Sequence, residues 1–329
     1  MSSRPFKIGY KENEVPHYLY LTEKNTTELS DDKPEQAKEV WVDIGPHEND
    51  QIGDIVRQFY AAHPATVQRI LDSAHRQPSL LVQDEAVVFV LSDYVGDLDH
   101  LSMRHLGIFL GKNFLVTAHV GGASRVVKDA WDFILQNHML DEGVDFALYE
   151  ILYHHVRRVA TLNAEVVARF EDLHAKLLEH PYRDLAGDIV QLRQSAMQLR
   201  KMIHPELEIF ALLKSPDVPY IDKMNRPYFD DVASRARELS DDVDGVRDGL
   251  SGMVEAYTSM QSNEINKVMK FLTILSVLAL PATTIASIYG MNFYIPEIHW
   301  HYGYFYSLIV MFLVTILLLL HMRRRDWFR

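Results

Sequence analysis

The 329-residue chain contains no cysteine, which excludes disulfides, thiolate metal sites and cysteine nucleophiles. It lacks an excess of positive charge as well: 33 Lys and Arg stand against 45 Asp and Glu, a net charge of −12. That balance argues against nucleic acid as a partner, which needs a basic footprint, and suits a surface that attracts cations. HExxH, GxSxG, GxxxxGK[ST] and the Rossmann glycine pattern are all missing, and no other catalytic constellation replaces them. An enzyme is not expected. The stretch "MSSRPFKIGYKENE" has no apolar core of signal-peptide length, so the first large segment is expected in the cytoplasm.

What the chain does have is concentrated near its other end. Val268–Tyr289 reads "VMKFLTILSVLALPATTIASIY" and Tyr304–Leu320 reads "YFYSLIVMFLVTILLLL". Crossing a bilayer core takes about 20 residues, with about 17 as the lower limit. Both runs qualify, the second narrowly. Lys267 and Lys270 precede or open the first run, and Arg323, Arg324, Arg325 and Arg329 follow the second, whereas the loop between them has neither Lys nor Arg. The positive-inside rule then places both ends in the cytoplasm and the loop outside. Tyr289, Phe293, Tyr294, Trp300, Tyr302, Tyr304 and Phe305 suit an aromatic belt at that outer interface.

Within the first run, Met269, Leu272, Ser276, Leu280, Thr283 and Ser287 recur at steps of three and four and share one helical face. Three of them carry hydroxyls. Such a face either packs against another helix or lines a water path. Pro281 requires that the carbonyl it frees be satisfied by a neighbouring helix or a hydroxyl.

Upstream, Val232, Ala236, Leu239, Val243, Val246, Leu250, Met253, Tyr257 and Met260 alternate steps of four and three. This heptad predicts a long helix packed against others. Its continuity into the first run through "SNEINKVMK" favours association of several copies over a pair within one chain. Gly245, Gly249 and Gly252 weaken the helix locally. Asp230, Asp231, Glu238, Asp241, Asp242, Asp244, Asp248 and Glu255 make the same segment acidic. They form either a solvated face or carboxylates that a hard divalent cation draws together.

Before this stalk, "HYLYL", "VWVDI", "LLVQDEAVVFVLSDY" and "HLGIFLGKNFLVTAHV" read as strands. "QIGDIVRQFY" and "ATVQRILDSA" have helical spacing, which predicts an α/β domain. From Asp132 to Leu213 the chain reads as two long helices broken near Pro181, the second kinked at "HPELE", His204–Glu208. "KSPDVPYIDKMNRPYF" is a proline-punctuated link to the stalk. His154 and His155 are adjacent, and neighbours on a helix do not face each other, so they are not expected to share a metal.

"YGMNF" (Tyr289–Phe293) directly after a first span, then "IPEI" (Ile295–Ile298), a second span and a basic end resemble the CorA family of divalent-cation channels. The similarity extends through "NKVMKFLTIL", "RPYFDDV" and "LRKMIHPELE" to essentially the whole chain. It implies a funnel-shaped homopentamer in the plasma (inner) membrane, with N- and C-termini cytoplasmic and no organic cofactor. Its expected parts are a cytoplasmic α/β domain (1–130), an antiparallel helical pair and linker (131–221) and a stalk helix (222–267). A pore-lining span (268–289), an outer loop (290–303), a second span (304–321) and a basic tail (322–329) follow.

The implied activity is passage of Mg2+, and of Co2+ and Ni2+, down the electrochemical gradient. Gly290, Met291 and Asn292 would form the selectivity mouth, with Glu297 the sole outer-loop acid. Asn266, Met269, Leu272, Ser276, Leu280, Thr283 and Ser287 would line the pore. Regulatory Mg2+ would sit between Asp231 and, from the neighbouring subunit, Asp97, with Asp93 and Asp99 as alternatives. Glu255 corresponds to a second stalk acid of the family, a conservative departure. The rival readings are a zinc or other divalent-ion transporter of the same superfamily, or a non-conducting membrane scaffold or sensor.

Overall fold

The computed structural model describes residues 16–31, 33–34, 36–45, 49–59, 80–83, 85–96, 98, 101–120, 122–179, 184–292, 294–296 and 300–325. The chain divides into two compact units, Met1–Glu179 with Asp184–Met253, and His180–Arg183 with Val254–Arg329.

In the first unit, seven strands form one sheet: β1 (His17–Leu21), β2 (Thr27–Ser30), β3 (Glu39–Ile44), β4 (Leu80–Val82), β5 (Val87–Val95), β6 (Ser102–Leu110) and β7 (Phe114–Val120). Their order is β2-β1-β3-β7-β6-β5-β4, antiparallel except for the central β3–β7 pair. Two stretches read as single strands each fold into a hairpin: "LLVQDEAVVFVLSDY" gives β4 and β5, "HLGIFLGKNFLVTAHV" gives β6 and β7. In both, polar residues or glycine interrupt the apolar run and permit a turn.

Both faces of the sheet are covered, so β3 is buried from Val40 to Ile44 instead of alternating. On one face Val40, Val42, Ile44, Val88, Val90 and Val116 pack with Ile52 and Val56 of α1 (Asn49–Val56). That helix arises from "QIGDIVRQFY"; "ATVQRILDSA" lies outside the described residues, as does Pro181. On the other face the Trp41 ring lies 4.8 Å from that of Trp131 on α2 (Arg125–Asn137). Helix α2 begins earlier than the sequence reading placed the helical region, because the Ser124 hydroxyl accepts from the Val127 N–H and caps it.

Helices α3 (Val144–Glu179) and α4 (Ala186–Leu213) follow, and α5 (Arg226–Tyr289) is a single helix of 64 residues. The heptad side chains Val232, Ala236, Leu239, Val243, Leu250 and Met253 are buried in the single chain, as the apolar period requires, whereas Val246, Tyr257 and Met260 are only half-buried. Gly249 admits the ring of Phe170, whose nearest atom would lie 3.0 Å from an added Cβ, whereas Gly245 and Gly252 face open space. Arg200 and Asp244 pair at 2.6 Å between α4 and α5. Arg226 donates to the carbonyls of Ser215, Pro216, Val218 and Ile221, which folds the linker back on the start of α5.

The linker is also fastened to the start of α3. Asp145, 5% exposed, accepts from the Asp222 N–H at 2.8 Å and from Asn225 at 3.1 Å. Gly143, two residues earlier, has φ +113, and an added Cβ would press on the Asp145 carboxylate. Gly143→Ala is therefore expected to destabilise the protein by about 1–3 kcal/mol. An unchanged urea midpoint for the full-length variant in detergent would contradict this.

Two buried histidine–carboxylate pairs tie the sheet to the helices. On the sheet, Asp43 accepts from Thr117 Oγ1 at 2.5 Å and from His119 Nε2 at 2.7 Å. His119 Nδ1 accepts the Ser124 N–H at 3.0 Å, so the ring proton sits on Nε2 and the start of α2 is anchored to β7. Between the helices, His155 on α3 donates from Nε2 to Glu206 Oε2 on α4 at 2.7 Å. The other Glu206 oxygen accepts the Ser92 N–H at 2.7 Å.

Ser92 lies beyond the stretch of β5 that β4 pairs among the described residues, Val87–Phe89, and Glu206 satisfies its N–H. Helix α4 runs on through Pro205 without interruption. The neighbouring His154 instead faces Glu150 at 3.7 Å. Burial pushes the Glu150 carboxyl up to about 7 and the His154 imidazole down.

The second unit continues α5 from Val254 and adds α6 (Gly303–Arg324). Both helices are long and apolar enough to cross a bilayer; the most apolar stretch of α5 buries none of its residues and that of α6 buries 6%. The core helix of a soluble domain would be covered. Helices this apolar and this bare need hydrocarbon or other copies around them.

Candidate functional site

The side chains implied as pore-lining lie on the uncovered part of α5. Asn266, Met269, Leu272, Ser276, Leu280, Thr283 and Ser287 are all exposed in the single chain. Ser276 Oγ donates to the Leu272 carbonyl and Thr283 Oγ1 to that of Ala279, each at 2.9 Å. A hydroxyl whose proton is held by its own helix turns its lone pairs outward. Such a surface accepts hydrogen bonds from the water around a cation. Pro281, which has no N–H, removes the partner of the Val277 carbonyl. The nearby Thr283 and Thr284 hydroxyls bond other carbonyls, those of Ala279 and Leu280, and the helix continues to Tyr289.

At Tyr289 the helix stops in a turn. The Gly290 N–H reaches the Ala286 carbonyl at 3.0 Å and that of Ser287 at 3.2 Å, and the Met291 N–H reaches Ile288 at 3.2 Å. A Cβ at Gly290 would lie 3.3 Å from the Ala286 carbonyl oxygen, tight enough to favour glycine there. Met291 and Asn292 follow, both exposed. Glu297 and Phe293 lie outside the described residues. Trp300 stands 5.9 Å from Tyr306 and 6.1 Å from Tyr302, ring to ring, an aromatic group beside the start of α6.

The implied regulatory acids are placed unevenly. Asp231 is on the first turns of α5 with its side chain 46% exposed, and Arg235 Nε donates to it at 2.7 Å. The Tyr149 hydroxyl is near enough to feel that charge; burial first, then Glu150 and Asp231, push its pKa up to about 12. Glu255 is exposed, farther along α5. Asp97 and Asp99 lie outside the described residues. Asp93 is 3% exposed, with Oδ1 accepting the Tyr94 N–H and Oδ2 without a partner among the described residues. Its carboxylate is buried within the single chain, unlike the half-exposed Asp231.

The donors that are available fit a hard cation. They are carboxylate, carboxamide and hydroxyl oxygens, the ligands magnesium prefers, often through its waters. Among the described residues no group of three or more His, Asp or Glu is placed to hold a metal by itself. A cation shared between copies needs no such group within one chain. Arg235 was missed on the sequence; its i,i+4 spacing from Asp231 was the available signal.

Residues 36–324 match the family described as "CorA-like Mg2+ transporter protein". The chain is 29% identical to the cobalt/magnesium transport protein CorA of Thermotoga maritima, over 96% of this chain and 92% of that protein. It is 24% identical to the zinc transport protein ZntB of Photorhabdus laumondii, over 52% of this chain and 55% of that one. Its structure superposes on the CorA magnesium transporter of Methanocaldococcus jannaschii with a TM-score of 0.82 at 21% identity, covering 95% of this chain and 98% of that one. With one sheet-and-helix unit, two bare apolar helices and a match that covers nearly its whole length, this chain belongs to the CorA-like Mg2+ transporter family.

Proposed function

We propose that the protein is a homopentameric channel of the plasma membrane that passes Mg2+, and also Co2+ and Ni2+, down the electrochemical gradient. Both termini face the cytoplasm. The observation that carries this reading is the junction at Tyr289: a face of seven exposed residues on α5 leads directly into Gly290-Met291-Asn292. In a ring of copies, the Asn292 carboxamides accept hydrogen bonds from the water shell of the ion without stripping it. The weak, releasable binding that results is what conduction requires. Glu297 draws the dication to the mouth, and Met269, Leu272 and Leu280 form hydrophobic constrictions along the pore.

Cytoplasmic Mg2+ closes the channel by bridging Asp231 of one subunit and Asp97 of its neighbour. When the ion leaves, the two carboxylates repel, the stalks loosen and the constrictions widen. Asp231→Lys is accordingly expected to abolish inhibition of flux by internal Mg2+ while leaving conduction in place. Inhibition that persists unchanged would remove Asp231 from the gate.

Zinc is the second reading, and the similarity to a zinc transport protein over about half the chain favours it. The intact GMN and Pro-Glu segments favour magnesium. Purified protein in liposomes loaded with a magnesium-sensitive dye, with cobalt, nickel and zinc as competitors, separates the two. Flux of Mg2+ that cobalt blocks supports the first. Flux of zinc without Mg2+ supports the second, and no flux of any ion leaves a scaffold or sensor.

A further inference from the structure

Asp231 already holds a cation supplied by its own helix. Arg235 Nε donates to Asp231 Oδ2 at 2.7 Å, one turn along α5. The pair is not a buried lock, since the side chains are 46% and 56% exposed, and exposed pairs of this spacing exchange readily. Arg235 also has somewhere else to go. It lines a groove of about 290 Å³ between α3 and α5, together with Tyr153 and Arg157 on α3 and Glu238 and Asp242 on α5. Glu238 is three residues beyond Arg235, within reach of the same guanidinium on the helix surface.

We propose that Arg235 sets the affinity of the regulatory site: its guanidinium occupies Asp231 when cytoplasmic Mg2+ is low and is displaced toward Glu238 when the dication binds. This rests on the reading of Asp231 as the regulatory acid. Two effects act in one direction. The guanidinium competes for the carboxylate, and its charge, a few ångströms away, repels an arriving dication. Removing it is expected to strengthen Mg2+ binding by about tenfold, the repulsion of a unit charge on a dication at that range in a water-like medium.

The test uses full-length protein in detergent, titrated with MgCl2, with protection from limited proteolysis as the direct readout and internal-Mg2+ inhibition of liposome flux as the second. Arg235→Ala should reach half-maximal protection at about one-tenth of the wild-type Mg2+ concentration. Arg235→Lys, which keeps the charge, should stay near wild type. Arg237→Ala removes the same charge two residues away, on a different side of the helix, and should shift the midpoint by less than about twofold. An unmoved or weakened midpoint in Arg235→Ala, with protection lost in Asp231→Asn, overturns the role of Arg235 and leaves the regulatory site standing. Equal shifts in Arg235→Ala and Arg237→Ala overturn it too, since general charge would then explain both. A wild-type titration in Asp231→Asn overturns the regulatory reading itself and this inference with it.

Discussion

Replacing Asn292 by alanine is expected to lower Mg2+ flux into proteoliposomes by about 100-fold, with the protein still folded and assembled. Asn292 is exposed in the turn that ends α5. Its loss therefore acts on the ion. Each carboxamide offers a hydrated cation a hydrogen bond worth about 0.5–1.5 kcal/mol net. In the proposed ring of five, even the lower value sums to about 2.5 kcal/mol, and 1.4 kcal/mol is a factor of ten. Asn292→Asp is expected to reduce flux for the opposite reason, because a ring of carboxylates holds the dication too tightly to release it. The dye-loaded liposome assay reads both variants, with size-exclusion chromatography to verify assembly. Flux in Asn292→Ala equal to that of the wild type would end the assignment of the mouth.

The second large effect belongs to the cytoplasmic unit. Glu206 is fully buried and joins three elements, accepting from His155 on α3 and from the Ser92 N–H on β5 while carried on α4. Glu206→Leu would leave an imidazole and a backbone N–H unpaired in the core, at a cost of about 3–5 kcal/mol. The midpoint of urea unfolding should fall accordingly; a loss below about 1 kcal/mol would mean that water or a shifted side chain replaces the carboxylate.

The same pair makes stability depend on pH. Burial alone would lower the His155 pKa, but Glu206, by charge and hydrogen bond, and then Asp93 overcome it and hold the imidazole above its ordinary range. A raised folded pKa gives stability that is full below the unfolded value, about 6.5, and lost as pH rises through the folded one. Wild type should therefore lose stability on the alkaline side of pH 6.5, and Glu206→Gln should show a shallower loss over that range. Identical slopes in the two proteins would refute the coupling.

Helical and strand periods are local, so several features could be read directly from residue order. The heptad from Val232 to Met260 predicted a packed helix, and α5 buries that face as far as Met253 except at Val246, while Tyr257 and Met260 are only partly covered. The two apolar runs predicted helices long enough for a bilayer, and the YGMNF address carried the family. Even the pairing of Arg235 with Asp231 was within reach, since one helical turn determines it.

Long-range pairings were not legible in this way. The polar Gln-Asp-Glu run inside "LLVQDEAVVFVLSDY" marks where its hairpin turns, but nothing in the stretch says that β5 pairs β6 on its other side, because that partner lies in a separate apolar segment. "HPELE" read as a kink, yet its Glu206 accepts an N–H of β5, 114 residues earlier in the chain. The sequence favoured Asp97 with Asp93 and Asp99 as alternatives, and only the fold shows that Asp93 is buried. Residue order alone determined the membrane helices, the long stalk and the Gly290-Met291-Asn292 junction, each set by neighbours within a few turns. Tertiary structure decided which acids are buried and which stay exposed, because burial depends on what distant segments bring against a side chain.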